Sequence, residues 1–180
     1  MRRTALLLAG IVLLGACSEE PTITEPGAEM QAGALTQLSP GAAHDLAALR
    51  SATASFHRIE VAKAAGYDVQ FPAGCFSSPA GAMGFHYLNG AKVGTLAPGE
   101  PQLVIYEPQK NGTLKLVGVE FILPGAPTDT PPVLFGQTLE YNSTFGVWAL
   151  HVWAWKNNPE GMFADWNPKA SCEFAAGAQL

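Results

Sequence analysis

The chain has 180 residues, 48% of them hydrophobic and only 14% charged, with a net charge of −5. Ten basic side chains stand against fifteen acidic ones and form no basic cluster, which argues against binding nucleic acid or an anionic lipid surface. There is no internal repeat, Gly-x-Ser-x-Gly elbow, phosphate loop or dinucleotide fingerprint to announce a known chemistry.

The first segment is a leader. Arg2 and Arg3 precede an apolar run from Leu6 to Leu14 that is too short to span a bilayer as a permanent helix. It ends in Leu14-Gly15-Ala16-Cys17, which resembles a bacterial lipobox. The resemblance implies a signal peptide over residues 1–16 and cleavage that leaves Cys17 as the lipidated N-terminus. A lipobox cysteine carries a diacylglyceryl group and usually a third, amide-linked chain, and more than one chain is what stable anchoring requires. The expected partner is therefore a membrane, reached through Cys17, and the expected location is the cell envelope. Ser18 follows Cys17 where an aspartate would favour retention at the inner membrane, so the outer membrane, facing the periplasm, is expected in a diderm cell. Removing Arg2 and Arg3 leaves eight basic against fifteen acidic side chains, a net −7.

Residues 17–38 supply the lipidated cysteine and then a stretch rich in Glu, Pro, Thr, Gly and Ala that has little to bury and reads as a flexible tether. Residues 39–180 remain, a length suited to one domain with one core. Ser39-Pro40 is a helix start, with a capping hydroxyl followed by proline at the first helical position. The helix is expected to run to about Ala65 and to stop at Gly66. Its stripe is Leu46, Leu49, Thr53, Phe56 and Ala64, and at 100° per residue His57 and Glu60 fall in the same sector.

Beyond the helix, the period changes to that of strands. Runs over 67–71, 84–88, 103–107, 114–123, 134–141 and 145–155 are β-branched or aromatic and are separated by Pro, Gly and Asn. The third and fourth should form a hairpin, because Asn111-Gly112 suits its turn. From Pro159 onwards the chain reads as a loop-rich wrap plugged by Phe163 and Trp166. The expected fold is α+β, with one long N-terminal helix on an antiparallel sheet and partial closure of the sheet into a barrel as a variant.

With Cys17 lipidated, Cys75 and Cys172 are a single pair in an exported, oxidising setting, and a disulfide is expected. A thiolate metal site is the weaker reading, since no Cys-x-x-Cys is present. His86 and His151 sit in the middle of expected strands, and Glu120 interrupts the apolar run 116–123. Alternation puts Glu120 on the face of Leu116, Gly118 and Ile122, where an unpaired carboxylate is costly. Two imidazoles and a carboxylate suit a divalent transition metal such as Zn, Fe, Mn or Cu, and His57-x-x-Glu60 could add to the set from the helix. The rival reading is a buried hydrogen-bonded network of the same residues that only braces the sheet. Trp148, Trp153 and Trp155 straddle both strand faces, with core packing as the default. Glu107, Glu160 and Asp165 read as strand-end, loop and turn carboxylates, and His44 as exposed.

Five segments carry a wider resemblance. They are Met83-Gly84-Phe85-His86-Tyr87, Leu103-Val104-Ile105-Tyr106-Glu107-Pro108, Val117-Gly118-Val119-Glu120, Leu150-His151-Val152-Trp153-Ala154-Trp155 and Gly161-Met162-Phe163-Ala164-Asp165-Trp166-Asn167-Pro168. Together with Ala64-Ala65-Gly66-Tyr67 they resemble a family of exported bacterial proteins of uncharacterised function, over about residues 52–173. The resemblance implies one integral domain and brings no activity, cofactor or catalytic residue with it. The expectation is an envelope-anchored lipoprotein with a small-molecule or metal-binding domain centred on His86, Glu120 and His151. A non-catalytic structural or protein-interaction lipoprotein and a metal-assisted hydrolase or oxygenase are the alternatives, so the sequence leaves catalysis open.

Overall fold

The computed structural model describes residues 38–177, so the expected signal peptide, Cys17 and most of the tether lie outside the described residues. No helix among the described residues is long and apolar enough to cross a membrane.

The first described helix, α1 (Pro40–Thr53), starts as its sequence suggests. Ser39 Oγ accepts from the Ala42 N–H at 3.2 Å, and Pro40 opens the first turn. The expected single helix to Ala65 does not form. The chain tightens into a 3₁₀ turn over Ala54–His57, Arg58 is extended, and a six-residue helix α2 (Ile59–Ala64) follows. That change of pitch breaks the 100° phase on which the stripe depended. Ala42, Leu46, Leu49, Thr53 and Ala62 are buried, whereas His57, Glu60 and Ala64 are exposed.

Eight strands follow: β1 (Val69–Ser78), β2 (Gly81–Leu88), β3 (Leu103–Pro108), β4 (Leu114–Pro124), β5 (Val133–Leu134), β6 (Gln137–Thr138), β7 (Glu140–Asn142) and β8 (Val147–Val152). Six form one curled antiparallel sheet, a half-barrel, in the order β1-β2-β3-β4-β8-β7. The β3–β4 hairpin turns through Asn111-Gly112, with Gly112 at φ +81°. The stretch expected as one strand over 134–141 is divided, because Phe135 and Gly136 take positive φ and pair β5 with β6 in a separate hairpin. That turn delivers the Phe135 ring into the core between Phe121 and Phe163.

Alternation along the strands divides the sheet into two faces. The helix face carries the main core, including Phe85, Tyr87, Val104, Tyr106, Val119, Phe121, Leu150 and Val152 with Leu46 and Leu49. Polar anchors fix the helical layer there: Tyr106 Oη donates to the Phe56 carbonyl at 2.7 Å, and Trp155 Nε1 donates to Thr53 Oγ1 at 3.1 Å. The opposite face holds a smaller cluster of Ala82, Ile105, Val117, Trp153 and Ala170.

A β-bulge corrects one expectation. Ile105 pairs with Gly118 and Tyr106 with Leu116, which leaves Val117 as the extra residue. Leu116 therefore joins the helix-face core, while Glu120 stays on the other face.

The C-terminal wrap is held at two places. Ala82 and Asn167 exchange backbone hydrogen bonds at 3.1 and 3.2 Å, and Cys75 and Cys172 form the expected disulfide, with Cα atoms 5.8 Å apart across 97 residues of sequence.

Candidate metal centre

His86 on β2 is paired with Ile105, and Glu120 on β4 is paired with His151 on β8. All three side chains leave the face away from the helices. In a flat sheet β2 and β8, three strand spacings apart, would stand about 14 Å from each other. Instead the curl brings His86 Nε2 to 3.2 Å from His151 Nε2 and 3.6 Å from a Glu120 carboxylate oxygen. One ligand atom from each of the three lies within 4.8 Å of the others. Donors bonded tetrahedrally to a metal at 2.0–2.1 Å stand about 3.3 Å apart, close to the two separations that His86 makes, while the His151–Glu120 separation is longer, within the 4.8 Å that spans the set.

Of the five sequence-level candidates for metal binding, these three are brought together. His57 and Glu60 are not in the cluster: His57 packs edge-on against Trp155 on the helix face, with ring centroids 4.5 Å apart, and Glu60 is exposed. Their common sector depended on an unbroken helix, and the break at Arg58 removed it.

Asp165, which reads from the sequence as a turn carboxylate, lies beside the cluster. Its carboxylate lies 3.3 Å from His151 Nδ1, the nitrogen turned away from the cluster. A carboxylate there, in polar contact without a formed hydrogen bond, favours the ring orientation that leaves Nε2 free to act as a ligand, as the outer support of a metal-bound histidine does. Nothing local in 159–168 signals this role; only docking of the wrap on β8 creates it. Glu160 instead sits in a turn, its N–H bonded to Asn158 Oδ1 at 3.1 Å. Glu107 belongs to a separate ion pair with Lys156, at 2.9 Å, and also accepts from the Ser171 N–H at 3.0 Å.

Burial governs the protonation states. It lowers the His86 imidazole to about 3, helped by neighbouring His151, so His86 is neutral and able to act as a ligand. Burial also works to lower His151, but Glu120 and Asp165 outweigh it and the net direction is upward. Glu120 is raised, chiefly by burial, and Asp165 is lowered, chiefly by its contact with the His151 imidazole.

As a hydrogen-bonded brace the cluster is incomplete. The Nδ1 atoms of both His86 and His151 are buried without a hydrogen bond of good geometry among the described residues. The Glu120 carboxylate stands 3.6 Å from the nearest imidazole nitrogen, too far for a hydrogen bond. A buried network that served only stability would be expected to satisfy its members. The donor set and its spacing are compatible with a metal ion.

The cluster lies between two cavities. One, of about 400 Å³, is largely apolar and is walled by Phe76, Met83, Leu103, Ile122, Val147 and Trp166. The other, of about 300 Å³, is polar and is lined by Glu140 and Asp165 as well as by Glu120 and His151. A metal held from one side by three ligands would keep positions open toward these spaces.

Comparison with protein-family models, with curated proteins and with solved structures returns no match.

Proposed function

We propose that this protein is an envelope-anchored lipoprotein, tethered through Cys17, whose domain holds one divalent transition metal on His86, His151 and Glu120. The observation that carries the metal reading is the convergence of two imidazole Nε2 atoms and a carboxylate at ligand spacing, with Asp165 behind His151. Two histidines and one carboxylate with open positions suit Zn, Fe, Mn or Cu. When bound, such a metal would supply a Lewis-acid or redox centre. The chain's own residues would orient and isolate it: Asp165 fixes the His151 ring, burial keeps His86 unprotonated, and the apolar walls exclude water from one side.

The lipobox resemblance of Leu14-Gly15-Ala16-Cys17 supports the anchoring reading. The buried, unpartnered Nδ1 of His86 weighs against a purely structural role for the cluster.

Elemental analysis of the full-length protein, purified from a bacterial envelope without chelators or a histidine tag, tests the metal. Near one equivalent is expected, lost in His86→Ala and in His151→Ala while the far-ultraviolet circular dichroism of the fold is retained. No bound metal, even after reconstitution with Zn, Cu, Mn and anaerobic Fe, would overturn the proposal.

A further inference from the structure

The apolar cavity is more specific than a gap in packing. About 400 Å³ lies at the small end of the range for ligand sites, roughly 300–1,000 Å³, which suits a compact ring system and not a phospholipid. Its strongly polar end is the His86–Glu120–His151 cluster.

Charge narrows the occupant further. No lysine or arginine lines the cavity, whereas Glu120 does, and Glu140 and Asp165 line the adjoining polar space. An anionic ligand would lose its hydration and meet carboxylates with no side-chain cation to balance it. A cationic ligand would meet the metal. A neutral molecule avoids both costs.

The mouth is also defined. Phe71 on β1 and Phe145 in the turn before β8 line the same cavity, and their rings meet edge-on with centroids 5.5 Å apart. β1 and β7 are the two edges of the six-stranded sheet, so this pair spans the open side of the half-barrel. Both rings are 41% exposed, and exposed side chains change rotamer on the picosecond-to-nanosecond scale.

We propose that the cavity binds a neutral, compact, largely apolar molecule with one hydroxyl or carbonyl oxygen, which enters between Phe71 and Phe145 and directs that oxygen to the metal. The direction of the oxygen and the exclusion of a cation rest on the metal reading; the apolar character and the exclusion of an anion rest on the cavity itself.

The methionines allow a site-specific test. Met83 lines the cavity, whereas Met162 is buried in the helix-face core. The full-length protein carrying ¹³C-methyl methionine and loaded with zinc is titrated with 1-naphthol and, separately, with naphthalene-1-sulfonate. 1-Naphthol should shift the Met83 methyl saturably and leave Met162 in place, the sulfonate should do neither, and naphthol affinity should fall about tenfold after chelation. Val147→Trp, which fills the chamber, should abolish the Met83 shift; the contrast between naphthol and sulfonate needs no variant should that one fail to fold. A silent Met83, or an equal response to both probes, overturns the assignment of ligand class. Undiminished affinity after chelation overturns the direction of the oxygen. A sample that retains no zinc by elemental analysis sinks the metal reading alone, and the naphthol–sulfonate contrast measured on it still decides the ligand class.

Discussion

His86 is the residue at which packing and chemistry meet. It is 2% exposed, and burial first, then His151, lowers its imidazole to about 3 from the ordinary 6.5. In metal-chelated protein the unfolded chain therefore takes up the His86 proton before the folded chain does. The stabilising contribution is complete above about pH 6.5 and is lost as pH falls from there toward 3. Other groups face it from the neighbouring elements. Glu120 on β4, whose carboxyl is raised above 4.5, acts in the opposite sense, because the folded state takes up that proton first. His151 on β8, raised above 6.5, contributes stability that is complete below 6.5 and fades at higher pH. Asp165, lowered below 3.8, matters only at more acid pH. The readout is thus a difference: urea unfolding from pH 6.5 to 4.5 should show the parent losing stability more steeply than His86→Gln. One titrating group can supply at most about 1.4 kcal/mol per pH unit. Parallel curves for parent and variant would refute the assignment.

At the scale of elements, the curled sheet and the C-terminal wrap build the site jointly. β2, β4 and β8 supply the three potential ligands, and the wrap brings Asp165 to the outer nitrogen of His151 and Trp166 to the cavity wall. The Cys75–Cys172 disulfide ties that wrap back to edge strand β1. The chain-entropy account gives about 4.7 kcal/mol for a loop of this length, and disulfides typically deliver about 2–4 kcal/mol. The double variant Cys75→Ser/Cys172→Ser should unfold at lower urea with a loss in that range, and its metal affinity should also fall because Asp165 is less firmly docked. Unchanged metal affinity alongside the stability loss would show that the Ala82–Asn167 pairing positions Asp165 without help. Gly84 illustrates how closely β2 and β3 are fitted beside the site: it takes φ +109°, and a Cβ there would press on the Tyr106 carbonyl oxygen.

At the scale of the whole molecule, the proposed anchor at Cys17 and the proposed metal centre are separable. Cys17→Ser removes the cysteine proposed to carry the lipid, so in a bacterial host the protein should move from the membrane pellet to the soluble envelope fraction and lose acyl labelling. The site should be unaffected by that change, and retained metal in the soluble form would demonstrate the independence of anchor and centre. Persistence of Cys17→Ser in the pellet would show that something other than the lipid holds the protein there.

Local chemistry made much of the chain legible from its sequence. The Ser39–Pro40 helix start, the β3–β4 hairpin at Asn111-Gly112, the antiparallel α+β class and the Cys75–Cys172 pair all follow from caps, turn residues, alternation and a count of cysteines. His86, Glu120 and His151 stand out in the sequence because ionisable groups in apolar strands must find partners. Other features depended on long-range geometry. The break at Arg58 released His57 and Glu60, and the bulge at Val117 sent Leu116 to the face opposite Glu120. Curling of the sheet set the 3.2 Å approach of two imidazoles across three strand spacings, and docking of the wrap gave His151 its carboxylate. Sequence period reports which way a side chain leaves its own strand; how far a sheet bends, and what then lies across it, is set by the packing of all its strands together.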